Sequence, residues 1–107
     1  MKTDIVKIVT FVPLANADAV RDAIGNAGGG KIGNYSHCSF STKGQGRFKP
    51  LEGANPHIGA VGKYETVEEE RIEFVCESGL VKNVIEAIKK VHPYEEVPID
   101  IYPMELY

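Results

Sequence analysis

The chain holds little of what usually announces a function. Its 107 residues include only two cysteines and three histidines, and no apolar run approaches the roughly 20 residues a membrane-spanning helix requires. Cys38 and Cys76 stand singly in strand-like sequence, without the close pairing of a redox CxxC or a zinc knuckle, so free, buried thiols are expected. His37, His57 and His92 lack an HxH or HxxxH partner, and a metal site would have to be assembled across the fold. Basic excess is missing too. With a formal charge of −3 and a pI near 5.6, there is no field to gather phosphates, which argues against nucleic acid as a partner. The opening MKTDIVKIVT lacks the apolar core of a signal peptide, and the chain is expected in the cytoplasm, away from any membrane. Internal repeats and low-complexity segments are absent.

What is there divides into six elements within one domain spanning residues 1–107. The β-branched run Asp4 to Val12 predicts a strand bounded by Pro13. Asn16 is placed to cap a helix carrying Ala19, Val20, Ala23, Ile24 and Ala27 on one stripe, ended by Gly28 to Gly30. Short-period alternation returns from Ile32 to Thr42, and Gly44 and Gly46 suggest a hairpin turn or bulge before a short extension at Arg47 to Leu51. After a loop, Lys63 to Glu77 reads as a strand whose Ile72, Phe74 and Cys76 share a buried face. Gly79 to Val91 has helical spacing with Lys89 and Lys90 in its last turn and Pro93 beyond it. Val97, Ile99 and Ile101 predict the last strand.

The order β-α-β-β-α-β is that of an α+β ferredoxin-like sandwich, with both helices on one face of an antiparallel sheet and a long hairpin insertion. The first strand is apolar on both sides, Ile5, Val9 and Phe11 on one and Val6, Ile8 and Val12 on the other. Helices on one face leave the second set uncovered, so a homo-oligomer is expected.

Two polar stretches remain. In GNYSHCSFS, alternation puts Tyr35, His37 and Ser39 on one face, either as a solvated hairpin or as part of a site. The loop LEGANPHIG carries Gly53, Asn55, Pro56 and Gly59, residue types that fix turns, and a loop of this length in a small domain usually binds or closes over something. Lys43, Arg47 and Lys49 flank the hairpin, as an anion-attracting rim or a solvated loop. In HPYEEVPID, His92 serves as a helix cap or a ligand, and Tyr94, Glu95 and Glu96 bring acid, base and donor groups to one place.

These segments carry a resemblance. GNYSHCSFS, EGANPHIG and HPYEE, in that order, are similar to the inserted domain of the Nif-three-like proteins, the YqfO group often labelled GTP cyclohydrolase type-2-like, and the chain also resembles small stand-alone YqfO-like proteins. The resemblance covers nearly the whole chain. It implies a CutA/PII-like fold, an assembly that is most simply a trimer, and a ligand site drawn from Tyr35, His37, Ser39, Gly53, Asn55, Pro56, Gly59, His92, Tyr94 and Glu95. Full-length family members are associated with a two-metal centre in flanking domains that this sequence does not contain, so the metal-hydrolase assignment does not transfer. Three readings follow. One is a non-catalytic oligomeric binding or regulatory module taking a small molecule or ion near the subunit boundary. Another is a zinc or other divalent-metal protein with weak hydrolase activity, in which His37, His92 and Glu95 converge. The third is a structural interaction domain.

Overall fold

The computed structural model describes residues 4–105; the first three and last two positions lie outside them. Strand β1 spans Ile5–Pro13, helix α1 Ala17–Asn26, β2 Phe40–Phe48, β3 Glu65–Glu77, α2 Val81–Val91 and β4 Ile99–Pro103. The expected element order holds. All neighbours in the sheet run antiparallel in the order β2-β3-β1-β4, the ferredoxin-like arrangement. Ile8, Val12, Val20, Ile24, Ile72, Phe74, Val84 and Ile88 form the core between sheet and helices.

Three local expectations are corrected. Asn16 makes no side-chain cap; it ends a 3-10 turn, Leu14–Asn16, that carries the chain from Pro13 into α1. Residues 31–39 do not form a strand. Gly30, Gly33 and His37 adopt left-handed backbone conformations (φ 78°, 56° and 60°), which extended pairing cannot accommodate. Ile32 and Tyr35 instead exchange backbone hydrogen bonds of 2.9 Å in each direction, closing a small hook. Gly44 and Gly46 likewise do not turn the chain: they sit inside β2 opposite Glu69 and Val67, and the turn falls in the loop from residue 49 to 64.

The two faces of β1 also meet different fates. Its even side joins the helix core, as expected. On the other side Val9 is fully buried within the protomer, with Glu73 and Asp100 across from it. Beside it Lys7 and Arg71 both bind Glu73, at 3.2 Å each, and Arg71 lies over the Phe11 ring. That face is therefore largely covered by its own charged ladder, leaving Phe40 and Tyr102 as its exposed apolar groups.

Strand β3 changes its buried side partway along. From Ile72 to Cys76 it buries its helix-facing residues; at Val67 and Glu69 it buries the opposite face. The β2–β3 ribbon projects beyond the helices, giving the molecule principal extents of 47 × 23 × 22 Å. Its far end packs against loops instead of helices. That change of partner positions the candidate site.

Candidate functional site

The long loop is built to hold a shape. At its neck the Gly62 N–H donates to the Pro50 carbonyl at 2.8 Å, and the Ala54 N–H closes a turn onto Leu51 at 3.0 Å. Gly53 and Gly59 take left-handed conformations (φ 97° and 94°), which side-chain-bearing residues adopt only at a cost. Lys49 stacks its ammonium over Tyr64, 5.0 Å from the ring centre.

The loop is clasped to the segment after α2. Glu95 Oε2 accepts the backbone N–H of Asn55 at 3.0 Å. Tyr94 is held from three sides: its ring lies 4.9 Å from that of His92 and 6.5 Å from that of His57, its N–H donates to His92 Nδ1 at 3.2 Å, and its hydroxyl donates to Glu69 Oε2 at 2.5 Å. Burial and the neighbouring Glu69 carboxylate push the Tyr94 phenol well above its usual pKa, so it stays protonated and donates.

His92 anchors this segment to β1. Its Nε2 donates to the Phe11 carbonyl at 2.7 Å while Nδ1 accepts from Tyr94, so the partners assign a neutral ring protonated at Nε2. Only 7% exposed, the imidazole has its pKa lowered, chiefly by desolvation. His92 thus ends α2 as expected, its backbone N–H bonded to the Ile88 carbonyl at 2.9 Å, while its side chain is a neutral, buried brace.

Loop, brace and ribbon line a half-open cavity of about 680 Å³. Its floor is the non-helical face of the ribbon, Thr42, Gly44, Gly46, Phe48, Glu69 and Arg71, with Phe11 alongside; Pro56, His57 and Ile58 form one wall and Tyr94 to Glu96 another. EGANPHIG and HPYEE therefore meet. GNYSHCS does not join them.

The hook docks at the other end of the ribbon, against α1. His37 Nδ1 lies 2.9 Å from Ser36 Oγ and Nε2 lies 3.0 Å from Asn26 Oδ1. Its ring rests on Gly25, where a Cβ would stand 1.9 Å from Cδ2. Tyr35 is 74% exposed, Ser39 is exposed, and Cys38 is half-buried where full burial was expected; only Cys76 is buried, which raises its thiol pKa. Of the expected site residues, Pro56, Tyr94 and Glu95 line the cavity, Asn55, Gly53 and Gly59 shape its loop, His92 braces it, and Tyr35, His37 and Ser39 lie elsewhere.

The expected metal triad is not assembled. His37 is engaged with α1, both His92 nitrogens are bonded to backbone, and Glu95 holds Asn55. Among the described residues no three His, Cys, Asp or Glu side chains are grouped to hold a metal ion. The donor set does not fit such a centre. What sequence reasoning missed was the floor: Glu69 sits in an acidic run that reads as solvated surface. The alternation of Gly44 and Gly46 along one strand was the available signal, since it bares a strip of one face.

No family model matches the chain. Over 99 residues, 92% of this chain, it is 54% identical to a protein of Bacillus subtilis named GTP cyclohydrolase 1 type 2 homolog, covering 26% of that relative. The crystal structure of a Bacillus cereus protein related to NIF3 superposes with a TM-score of 0.84 at 48% identity, over 95% of this chain and 26% of that one. The chain is thus similar to one segment of these NIF3-related proteins. It spans about a quarter of the length of these NIF3/YqfO relatives. The periplasmic divalent cation tolerance protein CutA from Archaeoglobus fulgidus superposes with a TM-score of 0.69 over 96% of this chain and 86% of CutA at 19% identity, which bears out the CutA-like fold and nothing further. No helix among the described residues is long and apolar enough to cross a membrane.

Proposed function

We propose that this chain is a non-catalytic, oligomeric binding or regulatory module that takes a small ligand in the cavity beneath the long loop, near a subunit boundary. One observation carries the reading. Two motifs 40 residues apart are clasped through Asn55 and Glu95 over a preformed, largely apolar chamber of about 680 Å³, the size and character of a small-molecule site. Assembly is supported by the exposed Phe40 and Tyr102 at the two edges of the non-helical face and by the likeness to CutA. A cytoplasmic setting fits the two free cysteines.

Native mass spectrometry of freshly purified protein tests the proposal. The expected result is a multiple of the 11.7 kDa chain, most simply a trimer, carrying a retained small molecule that Glu95→Ala releases without changing the assembly. A variant that falls to monomers while no small molecule is lost would identify the clasp as an assembly device and overturn the binding reading.

A further inference from the structure

Glu69 is the one carboxylate that the cavity floor combines with deep burial. Although charged, it is 9% exposed, and its Oε2 is occupied by the Tyr94 hydroxyl. Oε1 lies over Gly46, where a Cβ would stand 2.0 Å away, so only glycine in β2 leaves the carboxylate this position. No donor among the described residues reaches Oε1. Nor is any buried side-chain oxygen or nitrogen there left sealed without a partner, so Oε1 opens onto the cavity Glu69 lines.

A carboxylate oxygen facing an apolar chamber is costly to leave unpaired once water is displaced. Whatever fills the chamber must therefore donate a hydrogen bond to it. The shape around it is equally restrictive. Phe11, Phe48 and Ile58 supply apolar wall, and Gly44, with open space where its Cβ would stand, leaves a flat stretch of floor beside the carboxylate. The cations that line the cavity have other partners: Arg71 is bound to Glu73 and lies over Phe11, Arg47 is bound to Gln45, and Lys43 is paired in register with Glu70, the residue that binds Arg21 of α1 on the helix side.

We infer that the cavity selects a flat, mostly apolar ligand with an N–H edge of amine or amidine type, which donates to Glu69 Oε1. This rests on the cavity being a ligand site. An anionic ligand of the same shape would set its own acceptor oxygen against Oε1 with no hydrogen between them, and would be rejected.

Benzamidine and benzoate, which share a ring and differ in whether the edge donates or accepts, are the probes. With both titrated at millimolar concentration against the whole chain, amide spectra should show benzamidine shifting Gly44, Gly46 and Glu69 and benzoate leaving them in place. Glu69→Gln retains an acceptor for Tyr94 and should weaken benzamidine about tenfold or more. Gly46→Ala, which displaces the carboxylate from the other side, should do the same if the first variant fails to fold. Unchanged benzamidine affinity in a folded variant overturns the inference. Benzoate binding as tightly as benzamidine at these amides overturns the ligand class and leaves the cavity as a ligand site. If neither probe shifts them the inference also fails, while the retained ligand in the native mass spectrum judges the site itself.

Discussion

The hook at residues 33–39 and the cradle made by residues 50–58 and 92–98 are composed of similar residues: glycines in left-handed conformations, histidines, tyrosines and short polar side chains. The hook spends its polar atoms internally. His37 binds Ser36 and Asn26, Ile32 binds Tyr35, and the Cys38 N–H donates to Gly30 at 2.9 Å, so it fastens the chain to the end of α1 and encloses nothing. The cradle uses its bonds to hold two loops apart from the sheet, and a cavity remains between them. Residue type is common to both; what differs is the layer each meets. The hook lies where helices already cover the ribbon, and the cradle lies beyond them.

The contrast is broken most forcefully at Gly30. Its φ is 78°, and a Cβ there would lie 2.2 Å from the Cys38 carbonyl oxygen, a backbone atom with nowhere to go. Left-handed strain and the clash together should make Gly30→Ala cost about 3 kcal/mol, read from the urea midpoint. If the hook is purely a fastening, benzamidine shifts at the cavity amides should persist in whatever fraction remains folded. A loss below about 1 kcal/mol would mean the hook backbone yields easily, and the fastening role would fall.

Most of the frame was legible because it rests on periodicity. Ile72, Phe74 and Cys76 alternate, and Leu80, Val84 and Ile88 recur at helical spacing, and both patterns follow from burying one side against the same core. The hook misled because polar alternation from Ile32 to Thr42 mimics a strand, while the left-handed backbone at His37 leaves no mark in residue type. Gly44 and Gly46 misled for the opposite reason: glycine ordinarily signals a turn, yet here both lie within β2, and Gly46 makes room across the sheet for Glu69, a need set by a partner more than 20 residues away. The length of the loop pointed to a segment that binds or closes over something, and EGANPHIG closes onto HPYEE. Glu69 was not legible, since no local pattern separates one buried glutamate from its exposed neighbour Glu68.

A smaller effect separates the two regions at Glu95. Removing the clasp with Glu95→Ala should cost about 1 kcal/mol and speed hydrogen exchange at the Asn55 amide, with the α1 amides and the hook unaffected. Asn55→Ala supplies the control. The donor is the backbone N–H, so that substitution should leave the clasp closed and exchange slow. Acceleration in Asn55→Ala but not in Glu95→Ala would show that the Asn55 side chain, not Glu95, orders the loop.

The mildest test is confined to a pH window. His92 is neutral in the folded protein because burial lowers its pKa; the Phe11 carbonyl and Glu69 oppose that shift and His57 adds to it. In the unfolded chain the imidazole returns to about 6.5. Between the folded value and 6.5 the unfolded chain therefore holds a proton that the folded protein does not, and stability rises with pH across that interval. The contribution of His92 is complete above about 6.5 and diminishes as the pH falls, levelling off once the folded ring protonates as well. Protonation at Nδ1 would set an N–H against the Tyr94 N–H, so the first local sign should be faster exchange of the Tyr94 amide. His92→Gln can still donate to Phe11 and accept from Tyr94 but does not titrate, so urea midpoints between about pH 5 and 8 should slope less in the variant than in the wild type. An identical slope in both proteins would place the pH sensitivity in other groups and leave His92 as a brace without a charge-dependent role. A reduced slope accompanied by restored Tyr94 protection at low pH would tie the integrity of the cradle to one buried imidazole.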